Sequence, residues 1–143
     1  MRKVRHVVAE RLLFFLRLGG ASPGTSASDV ESRFGVKLRV SGDGKDCVRV
    51  WYDPKTDQFG TDGVVVEKAS AWGGITRHGS RDEPVVLRIF LDRSVLEVYC
   101  GGAALTNRTF ADAKALGVDL FAEGGTARLQ SLDVWKVNPL WKP

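Results

Sequence analysis

The sequence predicts an all-β fold, a sandwich of two antiparallel sheets of the jelly-roll or concanavalin kind. Three observations predict it. Apolar and polar residues alternate with a period of two across Val85 to Cys100, the signature of strands with one face buried. Glycine-rich turns such as Asp43-Gly44, Gly101-Gly102 and Glu123-Gly124-Gly125 separate short apolar runs. From Phe34 onward no stretch keeps a helical period, and short strands with turns between them make a sandwich or barrel.

Met1 to Leu18 is basic and closes on the apolar run LLFFLRL. Glu10, Arg11 and Arg17 interrupt that run, so it makes no convincing signal peptide, and it is too short to span a bilayer. Val4, Val8, Leu12 and Phe15 follow helical spacing, which predicts a short amphipathic helix, or else a disordered arm. Residues 19–33 contain GGASPGTSAS and read as a linker. The chain therefore divides into an N-terminal segment 1–18, a linker 19–33 and a sandwich module 34–143.

Within the module, Val36, Leu38 and Val40 alternate with Lys37 and Arg39, and Ser41 to Asp46 reads as a hairpin turn. Val48, Val50 and Tyr52 continue on a second strand, with Arg49 and Trp51 on its other face, until Asp53-Pro54 breaks it. Val64 to Glu67 reads as a short strand, and the polar, glycine-rich Ala69 to Glu83 as a long loop. Val85, Leu87, Ile89 and Leu91 then face Ser94, Leu96, Val98 and Cys100 across a hairpin. A turn centred on Asp92-Arg93 sets Arg88 opposite Glu97 as a cross-strand charge pair. A turn at Arg93-Ser94 moves the partners but keeps every face. A three-residue loop without a bulge would bury charge. Ala104 to Phe110 has no clean apolar face, so its register stays open. Gly117 to Ala122 and Ala127 to Val137 complete the set, with a bulge near Gln130-Ser131 where the apolar phase changes.

Charge and cysteine usage remove several functions. The net charge of +4 sits wholly in Met1 to Arg17, which holds five basic residues and one acidic. The remaining chain is neutral and carries no basic stripe for nucleic acid. Cys47 and Cys100 stand in separate strands and read as free thiols, although spacing alone leaves a disulfide open. With only His6 and His78, no metal cluster is visible and no cofactor is implied.

The segment LRIFLDRSVLEVYCGGAALTNRTF resembles the C-terminal β-sandwich module of glycoside hydrolase family 32, the family of invertases, levanases, inulinases and related fructosyltransferases. Asp92-Arg93-Ser94 followed by Val95 to Tyr99 and a glycine turn carries the resemblance. Phe34 to Arg39, Trp51 to Pro54 and Val118 to Trp141 extend it to about residues 34–141. The resemblance implies a non-catalytic module that stabilises a separate catalytic propeller and assists assembly or substrate access. It implies the propeller as partner, fructan or sucrose as substrate, no membrane partner, and a secreted protein. The family's catalytic carboxylates lie on the propeller, and its propeller motifs do not appear here. The chain then reads as a fragment of a longer enzyme or a truncated gene. A stand-alone carbohydrate-binding module is the alternative reading, and an active β-fructofuranosidase the second.

Candidate site residues follow. Asp92, Arg93, Ser94, Arg88 and Glu97 build the hairpin, with Asp92 capping its turn, rather than a catalytic pair. Trp72 and Trp51 are candidates for stacking on sugar, and Trp135 and Trp51 for packing against the partner domain. Asn107-Arg108-Thr109 matches an N-glycosylation sequon, a pattern common by chance.

Overall fold

The structure is a computed structural model and describes residues 11–23, 33–65, 68–77, 84–108 and 114–138. Among the described residues, ten strands form two five-stranded antiparallel sheets. They are β1 (Arg11–Pro23), β2 (Phe34–Val40), β3 (Cys47–Asp53), β4 (Gln58–Val65), β5 (Lys68–Thr76), β6 (Val85–Asp92), β7 (Val95–Cys100), β8 (Ala103–Arg108), β9 (Gly117–Ala122) and β10 (Gly125–Lys136). Sheet A runs β10-β1-β6-β7-β8, and sheet B runs β5-β4-β3-β2-β9. All pairings within them are antiparallel. The all-β sandwich expected from the sequence is the fold observed.

The core lies between the sheets and is built by alternation. Leu12, Phe14, Leu16 and Leu18 of β1 meet Val85, Leu87, Ile89 and Leu91 of β6 and Leu96, Val98 and Cys100 of β7. Sheet B supplies Phe34, Val36, Leu38, Val48, Val50, Tyr52 and Phe59. Phe34 and Tyr52 pack edge to face with centroids 5.5 Å apart. A polar tie between the layers is the hydrogen bond that Asn107 Nδ2 of β8 donates to the buried Thr61 Oγ1 of β4 at 2.9 Å.

Several expectations need correction. Arg11–Leu18 is not helical but the first part of β1, which runs without a break across the expected boundary at residue 19 to Pro23. The run RLLFFLRL fits a period of two as well as a helical one, and β1 is hydrogen-bonded on both sides, to β10 and β6. Residues 1–10 and 24–32 of the expected segment and linker lie outside the described residues. Ala69 to Thr76 of the expected loop belongs to strand β5 (Lys68–Thr76), and β4 begins at Gln58 rather than Val64. Neither has alternation strong enough to reveal it, and both are held by the backbone ladder from β3 outward. Of the rest of the expected loop, Arg77 follows β5 and residues 78–83 lie outside the described residues.

The hairpin β6–β7 turns at Arg93-Ser94, with Asp92 paired to Val95 and Arg93 at a φ of 52°. Arg88 therefore stands opposite Tyr99, not Glu97, and its guanidinium carbon lies 5.6 Å from the Tyr99 ring centroid. Glu97 stands opposite Phe90 and accepts a hydrogen bond from Tyr99 Oη at 3.2 Å. The expected bulge in β10 is present: Arg17 pairs with Ser131 and Leu18 with Leu129, leaving Gln130 over. The open register of β8 is fixed by Leu105 opposite Val98.

Cys47 and Cys100 are free thiols. Cys100 is 1% exposed, and burial pushes its thiol up from 9.0 to about 11. The folded chain then holds this proton longer than the unfolded one. Its contribution to stability is complete below pH 9.0 and is lost as pH rises through about 11. Urea midpoints measured against pH should fall across that window, and Cys100→Ala should flatten the fall; an identical slope in the variant would exclude this thiol as its source.

Candidate functional site

Each sheet presents an outer face, and the two differ in chemistry. On sheet A, the row Trp135–Leu13–Phe90–Glu97–Thr106 lies beside the row Asp133–Phe15–Arg88–Tyr99–Ala104. Because β1 is apolar on both of its faces, its outward Leu13 and Phe15 give this surface an apolar centre. Trp135 is 49% exposed, Val95 42%, and Tyr99 and Val137 37% each. At the end of this face a groove of about 280 Å³ is lined by Phe90, Val95, Glu97 and Val137 among others. Asp92 and Glu97 both line it, beside apolar side chains.

On sheet B, the row Phe121–Gly35–Trp51–Gly60–Gly73 lies beside the row Asp119–Lys37–Arg49–Asp62–Ala71. Glycines on both sides of Trp51 leave room for its indole to lie down on the sheet. It is only 5% exposed although it stands outside the core. The Arg33 guanidinium carbon sits 3.8 Å from its ring centroid. Arg49 donates through Nε and Nη2 to the two oxygens of Asp62, each at 2.6 Å, and through Nη1 to Glu123 Oε1 at 2.6 Å. Bidentate pairing of this kind fixes both groups in orientation, and the pair holds the Arg49 guanidinium above its already high range. Arg49 also lies 5.1 Å from the Phe121 ring centroid, and Arg33 Nη1 stands 4.0 Å from Asp62 Oδ2. A backbone hydrogen bond from Glu123 N–H to the Arg33 carbonyl at 2.8 Å brings the two ends of the cluster together.

Trp51 is on the outer face, as read, but covered by Arg33, whereas Trp135 is exposed. Trp72 is in strand β5 opposite Thr61, not in a loop. Trp141 lies outside the described residues. The Asn107 side chain is turned to Thr61 between the sheets, and its Oδ1 accepts from Arg108 N at 2.8 Å, so the sequon asparagine is committed to the fold. The polar cluster was not anticipated. Its members come from β3, β4 and the segments flanking β2 and β10, and they are up to 90 residues apart along the chain.

A family model described as the C-terminal domain of glycosyl hydrolases family 32 matches residues 21–136. The chain belongs to this family. The match begins inside β1 and ends at the last residue of β10, so it takes in both sheets. No curated protein matches the chain by sequence. Among solved structures it is similar to an exo-inulinase from Aspergillus awamori, at 26% identity and a TM-score of 0.76 over 99% of this chain. It spans 27% of that enzyme's length. A fructofuranosidase from Schwanniomyces occidentalis complexed with fructose matches at a TM-score of 0.71 and 13% identity, covering 93% of this chain and 30% of its own. A carbohydrate-binding module from Bacillus subtilis matches at 0.62 and 11% identity, covering 90% of this chain and 76% of its own. The last two likenesses are of fold alone. As a family 32 C-terminal domain, the chain is a β-sandwich of the kind that accompanies the catalytic part of fructosidases.

Proposed function

We propose that this domain is the non-catalytic module of a fructan- or sucrose-acting glycoside hydrolase, and that it stabilises the catalytic propeller by packing the outer face of sheet A against it. The observation that carries this reading is the exposed aromatic and aliphatic surface of Trp135, Tyr99, Val95 and Val137 around Leu13, Phe15 and Phe90. An apolar patch of this kind on a sandwich with a complete core marks a protein contact. Arg88 and Glu97 stand within the patch, between Phe15 and Tyr99 and between Phe90 and Thr106, and give it polar contacts. The exo-inulinase that this chain resembles has nearly three quarters of its length beyond the matched part, which supports a larger catalytic partner.

The test is association with the separately expressed catalytic domain of the exo-inulinase. The chain should co-purify with it and raise its thermal midpoint. Trp135→Asp should weaken that association by about thirtyfold, as loss of one buried aromatic anchor does. Failure of the parent chain to associate, or equal association by the variant, would overturn the reading.

A further inference from the structure

We propose that the outer face of sheet B is a second site, a carbohydrate subsite in which Arg33, Arg49, Asp62 and Glu123 bind the hydroxyl groups of a neutral sugar ring. The choice of fructan as the sugar rests on the hydrolase reading above; the site itself does not.

Four features of the cluster point to such a ligand. It is held rigid, because Arg49 is clamped by Asp62 on one side and Glu123 on the other. It keeps hydrogen-bonding capacity beyond those clamps. A guanidinium has five N–H groups, and three of those on Arg49 are used by the two carboxylates. Glu123 has a second oxygen, and its side chain is 44% exposed. Arg33 and Asp62 are each 22% exposed and Arg49 21%, so the array is reachable from solvent. A donor and an acceptor fixed side by side suit a vicinal diol, whose hydroxyls both donate and accept.

The charge decides between ligand classes. Two guanidinium groups face two carboxylates, so the cluster carries no net charge. An anion would be repelled by Asp62 and Glu123, and a cation by Arg33 and Arg49. A neutral polyol meets neither penalty. Beneath the array the Trp51 and Phe121 rings are buried, under Arg33 and Arg49 respectively, and they fix the two guanidinium groups in place.

This site is on the sheet opposite to the proposed docking face, so the two can fail separately. Affinity electrophoresis of the full chain through gels containing inulin, levan or dextran reads binding directly. The parent should be retarded by inulin or levan and not by dextran. Glu123→Gln and Arg33→Ala should each weaken retardation about tenfold or more, the effect of losing one hydrogen bond to a charged group. Both variants should keep a native thermal midpoint and their association with the exo-inulinase catalytic domain. Trp135→Asp should lose that association and keep full retardation. No retardation of the parent by either fructan overturns the proposal, as does retardation by dextran alone or undiminished retardation of both cluster variants.

Discussion

Gly35→Ala is expected to destabilise the domain by at least about 3 kcal/mol, the upper part of the range for forcing extra atoms into a packed region. A Cβ on Gly35 would lie 1.9 Å from the Val50 carbonyl oxygen, 3.0 Å from its carbonyl carbon and 3.2 Å from Trp51 Cα. All three are backbone atoms, so no side chain can swing aside to make room. Relief requires β2 and β3 to move apart, and that pairing is central to sheet B. The same movement would lift the floor under Trp51. Gly42→Ala is the matched control, since nothing lies within 4 Å of a Cβ there. Urea denaturation of the two variants beside the parent gives the answer. Equal midpoints for the two would show that the close approach of β2 to β3 is not a constraint.

Asp57→Asn is expected to cost about 3–5 kcal/mol, because it breaks a buried ion pair by neutralising one of its two members. Arg77 is 5% exposed and Asp57 7%. Arg77 Nε donates to Asp57 Oδ1 at 2.6 Å, and the Tyr52 hydroxyl donates to the same oxygen. Arg77 Nη1 reaches the Pro84 carbonyl at 3.4 Å, and the Arg77 backbone N–H donates to the Asp57 carbonyl at 3.1 Å. The cluster thus fastens the β3–β4 turn to the end of β5 and the start of β6. Asparagine is the informative replacement, since it tolerates the left-handed conformation of this position, φ 57°. Any loss then reports on charge rather than backbone strain. The thermal midpoint should fall on the order of 10 °C. Tyr52→Phe, which removes one hydrogen bond to the carboxylate and no charge, should cost less, about 2 kcal/mol. A midpoint for Asp57→Asn no lower than that of Tyr52→Phe would sink the argument.

The outcome of the sequence reading follows from which interactions are local. Val85 to Cys100 alternates cleanly because β6 and β7 each have one buried and one outer face, and the outer face carries enough charge to mark it. The bulge at Gln130 was legible for the same reason, as a change of phase within one strand. Strand β1 was not legible. Its outward residues Leu13 and Phe15 are apolar too, so its run shows no clean alternation, and a helix fits as well until β10 and β6 are seen on either side. Strands β4 and β5 were partly hidden because glycine and polar residues take part in a ladder through backbone alone.

The sequence by itself determined the all-β class, the core positions of β2, β3, β6 and β7, and the family, since all three are written in alternation and in short contiguous motifs. Only the tertiary structure decided the strand order, the burial of Trp51 beneath Arg33, and the meeting of Arg49 with Asp62 and Glu123. Those depend on which strands become neighbours. Neighbours are chosen by backbone pairing between segments far apart in the chain, and local side-chain periodicity carries no record of that choice.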